Sequence, residues 1–164
     1  MIMRAAVILF TVGIVGQVSA QEGAFLARFD GGIGVIPASN AAGQVNTVRG
    51  VLPAPGPWRI ASLRADIDTD GRVKVRGRGL LIANGNAIGT NLNQRVFATL
   101  ICEVTAPIER STDKAGVALE PNGDFRIEDT LDQVPAECPN PVLLIRNTGG
   151  VWFAAGIPKL SDED

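Results

Sequence analysis

Apolar and polar residues alternate along two stretches near the middle of the chain, 59–67 and 72–81, on either side of the pair Asp70-Gly71. Successive side chains of a β-strand point to opposite faces, so this alternation is typical of a strand with one buried face and one wet face. An Asp-Gly pair favours the tight turn that joins two such strands. The pattern predicts a β-hairpin over 59–81.

Further Asn-Gly and Gly-Gly turn signals separate short runs rich in Val, Ile, Leu and Phe. They predict a strand over 125–130 and a hairpin that pairs 142–146 with 151–157. The Pro-rich stretch 51–57 predicts a crossover between sheets, and 105–116 reads as a polar surface loop. Many short strands with little helical periodicity indicate an all-β fold in one domain, either an antiparallel β-sandwich or a partly open barrel.

One segment, 90–106, fits two patterns. It contains neither Gly nor Pro, and some of its apolar residues recur at helical spacing. Its second half is rich in β-forming residues and alternates, which favours a strand that begins near Arg95. A helix is the alternative prediction.

The start of the chain has the pattern of an export signal. Arg4 precedes an apolar run over 5–16, and Val18-Ser19-Ala20 places small residues where a signal peptidase cleaves. The run is shorter than the about 20 apolar residues that span a bilayer. We therefore expect a secreted or periplasmic protein with this organisation: signal peptide 1–20, β-domain 21–158, acidic tail 159–164.

Cys102 and Cys138 are the two cysteines of the chain. In the oxidising compartment that the leader implies, an even pair in a small domain predicts a disulfide. A redox or metal-binding thiol pair is the alternative. The chain has no histidine, which removes the commonest partner ligand for such a metal site.

The balance of charge narrows the classes of partner. The full chain carries a formal net charge of −2, and loss of Arg4 with the leader makes it slightly more acidic. This argues against nucleic-acid binding, which needs a basic surface. No later apolar run is long enough to span a membrane, and nothing in the sequence calls for a cofactor.

Asp66, Asp68 and Asp70, followed by Gly71, match the opening of a calcium-binding loop. The match fails further on, because Gly77 stands where a bidentate Glu would close the ligand shell. The same residues are also expected in a hairpin in which acidic side chains form ion pairs with basic side chains on the opposite strand. These acids are weak metal candidates, and we predict no metal site.

Four cations occupy alternate positions of one predicted strand, so they share one of its faces: Arg72, Lys74, Arg76 and Arg78. Such a row fits an acidic polysaccharide or a phosphate-rich surface. It also fits a solvated strand face, partly neutralised by Asp66 and Asp68, on which basic residues discourage edge-to-edge pairing.

Trp152 is a candidate for ligand or interface contact. If Phe153 faces the core, alternation places Trp152 on the opposite face, beside the small residues Ala154 and Gly156. An exposed indole there would form a sugar-stacking platform or an interface with another subunit. A loop or second sheet over that face would instead make Trp152 a core residue.

The sequence offers little for catalysis. Without histidine there is no Ser/His or Cys/His pair, so the remaining enzymatic route is a pair of carboxylates, as in glycoside hydrolysis. Glu103, Glu128 and Asp129 are the candidates, but spacing alone does not place any two of them in one cleft.

Five runs carry a resemblance to other proteins: 29–37 (FDGGIGVIP), 77–81 (GRGLL), 122–127 (NGDFRI), 141–145 (PVLLI) and 152–158 (WFAAGIP). They resemble small exported bacterial proteins of unknown function, and the resemblance covers most of the mature chain. It implies a bacterial, secreted protein and assigns no activity or site.

The sequence thus predicts a non-catalytic extracytoplasmic β-domain with a binding or structural role at the cell envelope. Its partner would be an envelope glycan or a protein. The alternative is a carboxylate-dependent hydrolase that acts on glycans, and a third possibility is a subunit of an extracellular assembly.

Overall fold

The computed structural model describes residues 24–103 and 105–159. The predicted signal peptide and all of the acidic tail except Lys159 lie outside this part of the chain. The described residues form eleven β-strands and one 3-10 helix, Gly85–Ala87. The strands are β1 (Phe25–Gly34), β2 (Trp58–Arg59), β3 (Ser62–Asp68), β4 (Arg72–Arg78), β5 (Leu81–Ile82), β6 (Arg95–Cys102), β7 (Ile108–Ser111), β8 (Val117–Ala118), β9 (Phe125–Thr130), β10 (Val142–Asn147) and β11 (Trp152–Pro158).

Most of the strands belong to one antiparallel sheet in the order β7-β6-β10-β11-β1-β3-β4-β9, and β8 also pairs with β6. The two ends of this sheet approach each other. The backbone N–H of Asp132, just after β9, donates to the carbonyl oxygen of Ser111 in β7 at 2.8 Å. The N–H of Asp113 donates to the Asp129 carboxylate, also at 2.8 Å. The all-β prediction is confirmed, and the architecture is a nearly closed barrel rather than a sandwich.

The predicted central hairpin is confirmed as β3 and β4. Leu63, Ala65, Val73 and Val75 are 2% exposed or less, while the residues between them face solvent. β9 occupies the predicted 125–130 and adds a third strand beside β4. The interior of the barrel is therefore filled by side chains from alternate positions, which bury apolar surface on one face of each strand.

The ambiguous segment forms β6, so the strand prediction is confirmed and the helical alternative is wrong. Both faces of β6 are buried from Val96 to Cys102. A strand covered on both sides has no wet face, which explains why apolar residues occupy both faces and why the segment fits two patterns. The prediction of a surface loop over 105–116 is wrong in part, because β7 lies within this range and pairs with β6.

The Pro-rich stretch is bound to the edge of β11. The N–H of Trp152 donates to the carbonyl oxygen of Leu52, and the N–H of Ala54 donates to that of Trp152, both at 3.0 Å. Val51, Pro53 and Ala54 are buried. The stretch leads to the two-stranded ribbon of β2 and β5, and its Val51 and Ala54 join the main core cluster, whereas Leu52 is exposed.

Two glycines are required by close packing. A Cβ added to Gly34 would lie 2.0 Å from the carbonyl oxygen of Trp58, and one added to Gly77 would lie 2.0 Å from the Phe125 ring. Gly77 lies directly opposite Phe125, so the ring covers the space that a side chain would otherwise take. Glycine lets these backbones and rings approach.

The predicted disulfide between Cys102 and Cys138 is confirmed. It joins the end of β6 to the loop before β10. Arg49 reinforces the same place, because its Nη1 donates to the carbonyl oxygens of Ile101 at 3.1 Å and Glu103 at 2.6 Å. One guanidinium and one covalent bond thus hold the long β1–β2 connection and the loop before β10 against the end of β6.

Candidate functional site

The outer surface of β1, β3, β4 and β9 is the main charged face of the described structure. Along β4 the exposed residues alternate with buried ones without exception. From Ala27 onward the four strands are paired without a register shift, so their outward side chains line up in rows that cross the strands. Two neighbouring rows differ in their pattern of charge.

The first of these, the alternating row, consists of Arg28, Asp66, Lys74 and Glu128. Each lies directly opposite the next in the strand pairing. Arg28 Nε is 3.1 Å from Asp66 Oδ1. Opposite charges that face each other across strands are favourable. Arg28 and Asp66 are the ion pair within this row, because Glu128 pairs with Arg126 and Lys74 forms no ion pair in the described part of the chain.

The second, the arginine row, consists of Arg64, Arg76 and Arg126, and again each lies directly opposite the next. No acid lies between its members, and its two outer arginines each have an acidic partner. Arg64 Nε lies 3.1 Å from Asp30 Oδ1, and Arg126 Nε lies 3.2 Å from Glu128 Oε1. Like charges directly opposite each other are destabilising. The arginine row therefore opposes folding where the alternating row favours it.

The central member, Arg76, is exposed and forms no ion pair with any described residue. The side chains of Arg64 and Arg126 remain 76% and 53% exposed despite their partners. All three guanidinium groups are thus accessible to a ligand from solvent.

The four cations predicted from the sequence, Arg72, Lys74, Arg76 and Arg78, are all exposed on β4. The strand pairing places these four residues opposite different partners. Arg72 lies 3.3 Å from Asp68 and 3.0 Å from Asp70, Lys74 sits in the alternating row, and Arg78 faces Ser62. Sequence reasoning missed Arg64 and Arg126. The alternation of β3 and β9 marks both as outward, but only the strand register places them beside Arg76.

The acids of the partial calcium motif are engaged with arginines. Asp66 pairs with Arg28, whereas Asp68 and Asp70 both pair with Arg72. Within 24–103 and 105–159, no group of three or more Cys, Asp or Glu side chains is arranged to hold a metal ion. The contacts of Asp66, Asp68 and Asp70 thus agree with the ion-pair interpretation of this sequence.

Trp152 lies in the core cluster with 6% of its surface exposed. At the start of β11, Arg146 lies opposite Trp152 while Ile145 lies opposite Ala154, which leaves Phe153 as an extra residue. Trp152 stays on the outer face with Arg146, and residues 51–54 lie alongside it, with Val51 and Ala54 in the same core cluster. The structure therefore agrees with the alternative prediction, in which a covering segment makes Trp152 a core residue. Trp152 does not present the exposed indole that sugar stacking or a subunit interface would use.

The candidate catalytic acids are not brought together. Glu103 follows the end of β6 beside the disulfide, whereas Glu128 and Asp129 lie on β9 and line the narrow gap between β8 and β9. Neighbours on a strand point to opposite faces. Both oxygens of Asp129 accept backbone N–H groups, from Asp113 and from Thr130. These contacts hold the turn that closes the barrel.

No protein-family model, curated protein or solved structure matches this chain. Across the described residues, no helix has the length and apolar character needed to cross a membrane.

Proposed function

We propose that this chain is a non-catalytic extracytoplasmic β-domain that binds at the bacterial cell envelope. The observation that carries the proposal is the contrast between the filled interior and the exposed charged face. The interior of the barrel is filled by fully buried side chains, such as Leu63, Val75, Leu100 and Leu143. A partner would therefore bind to the outer surface. There the arginine row keeps a local excess of positive charge in a protein that is acidic as a whole.

The export part of the proposal is supported by the leader pattern and by the disulfide. A disulfide persists in oxidising compartments and is rare in the reducing cytosol. Cys102–Cys138 is therefore compatible with a secreted or periplasmic location. The resemblance of several runs to small exported bacterial proteins agrees with this location.

To test this proposal, the full chain is expressed in a Gram-negative host, and the periplasm, the envelope fraction and the cytosol are separated. We expect a mature product that begins at Gln21, together with retention of the purified protein on isolated envelopes. Protein that stays cytosolic with Met1 intact, or that passes over envelopes unretained, would contradict the proposal.

The alternative, a carboxylate-dependent glycan hydrolase, would draw on Asp113, Glu128 and Asp129 around the gap between β8 and β9. Release of reducing ends from acidic or neutral polysaccharides, abolished by Asp129→Asn in a protein that remains folded, would establish it. The two backbone hydrogen bonds of the Asp129 carboxylate favour a structural role for this acid.

A further inference from the structure

We infer that the arginine row binds a linear acidic polysaccharide that lies across strands β3, β4 and β9. This rests on the proposed envelope-binding function and names the chemistry of its ligand. The inference begins from the placement of Arg64, Arg76 and Arg126 directly opposite one another. Three adjacent cations without an acid between them are unfavourable in the free protein, and a polyanion relieves that repulsion.

The spacing of the row fits a chain of sugars. Neighbouring strands lie about 4.8 Å apart, so the row offers one guanidinium at each such interval. This interval is comparable to the length of one pyranose unit, so a polysaccharide with one acidic group per sugar can place successive anions beside successive arginines. The ligand then runs perpendicular to the strands.

The chemistry of the side chains agrees with this ligand. All three members of the row are arginine, whose planar guanidinium makes two parallel hydrogen bonds to a carboxylate or a sulfate. The central cation of the neighbouring alternating row is Lys74, which faces Asp66 and Glu128 instead. Lys74 forms no ion pair with a described residue, but the acids opposite it on both sides repel an anion, whereas the residues opposite Arg76 are both arginines.

The acids that border the arginine row favour a narrow ligand. Asp30 closes one end, while Asp66 and Glu128 lie along one side in the alternating row. A broad anionic plane, such as a membrane of acidic lipids, would press its charges against these carboxylates as well. A single polysaccharide chain brings fewer of its charges near these carboxylates, although Asp30 and Glu128 remain beside Arg64 and Arg126.

The test uses polygalacturonate, which carries one carboxylate per sugar, and compares Arg76→Gln with Lys74→Gln. Both substitutions remove one positive charge from the same face of β4, and they lie two residues apart. We expect the wild-type protein to bind at about 0.1 M salt and to lose binding near 1 M, where screening is strong. Dextran, which is neutral, is expected not to bind.

Arg76→Gln is expected to weaken binding about tenfold, as for the loss of a charge-assisted hydrogen-bonding group, and Lys74→Gln by less than about threefold. Arg64→Gln and Arg126→Gln should each weaken it as well. Far-ultraviolet circular dichroism and thermal unfolding of every variant check that the barrel is intact.

Several results would overturn the inference: no binding by the wild-type protein, equal losses for Arg76→Gln and Lys74→Gln, or binding to phosphatidylglycerol vesicles in preference to polygalacturonate. Its failure is distinguishable from that of the proposed function. Envelope retention that is unchanged by Arg76→Gln would leave the envelope role in place and remove this ligand, whereas polygalacturonate binding by a protein that is not exported would do the reverse.

Discussion

The two halves of the barrel differ in whether their outer face is exposed to solvent or buried. On β3, β4 and β9 the outer face is solvated, and exposed residues alternate with buried ones. On β6, β10 and the start of β11 that face is buried too, and Thr99, Ile101 and Leu144 there are fully buried. One barrel can thus present a charged, solvated surface on one side, while the strands on its other side are buried on both faces.

The connection between β1 and β2 contributes to this difference. Its residues 51–54 are hydrogen-bonded to Trp152, while Arg49 reaches carbonyl groups at the end of β6. Val51 and Ala54 belong to the same core cluster as Trp152 and Leu144. Within 24–103 and 105–159 no comparable segment lies over the arginine row, whose members are exposed.

The largest expected effect is on the covered half. Trp152→Ala should lower the free energy of unfolding by about 3–5 kcal/mol, because it leaves a cavity among buried side chains. Chemical unfolding measures the change. Trp152→Phe is the matched variant and should cost much less, since the buried Nε1 of Trp152 has no hydrogen-bond partner among the described residues. A midpoint for Trp152→Ala close to that of the wild type would mean that the face is not covered.

A smaller effect is expected from the bond that ties the covered half together. Replacing both Cys102 and Cys138 by Ser should cost about 2–4 kcal/mol, because the bond restricts a loop of 36 residues in the unfolded chain. The melting temperature should fall by several degrees. Treating the wild-type protein with a reductant is the parallel measurement, and an unchanged melting temperature after confirmed reduction would contradict the prediction.

The smallest effect is on the solvated half and has the opposite sign. Arg76→Gln should leave stability unchanged or raise it by up to about 1 kcal/mol, because it removes a cation that faces two others. Lys74→Gln should lower stability slightly, because Lys74 faces Asp66 and Glu128. Thermal unfolding at low salt compares the two. Greater destabilisation by Arg76→Gln than by Lys74→Gln would show that the arginine row is not repulsive.

The solvated half was the easier one to predict from the sequence. The hairpin of β3 and β4 and the strand β9 each follow from alternation and a turn signal, which are local properties. The covered half was harder. The predicted hairpin of 142–146 and 151–157 is confirmed there as β10 and β11. However, β6 has no wet face, β7 forms where the sequence predicts a loop, and Trp152 is buried by a segment from elsewhere in the chain.

The candidate site shows the same division. The sequence identified Arg76 and its neighbours on β4, because they alternate along one strand. It did not identify the arginine row, since Arg64, Arg76 and Arg126 are far apart in the chain and meet only through the pairing of three strands. A shift of one residue in either pairing would place different residues beside Arg76.

The sequence by itself determined the all-β character, the position of the central hairpin and the pairing of the two cysteines, because strand alternation, turn chemistry and a single pair of thiols each allow few alternatives. The tertiary structure alone decided that the sheet nearly closes into a barrel, that Trp152 is buried and that three arginines form a row. These features depend on contacts between residues distant in the chain, and no local pattern encodes which strand becomes the neighbour of which.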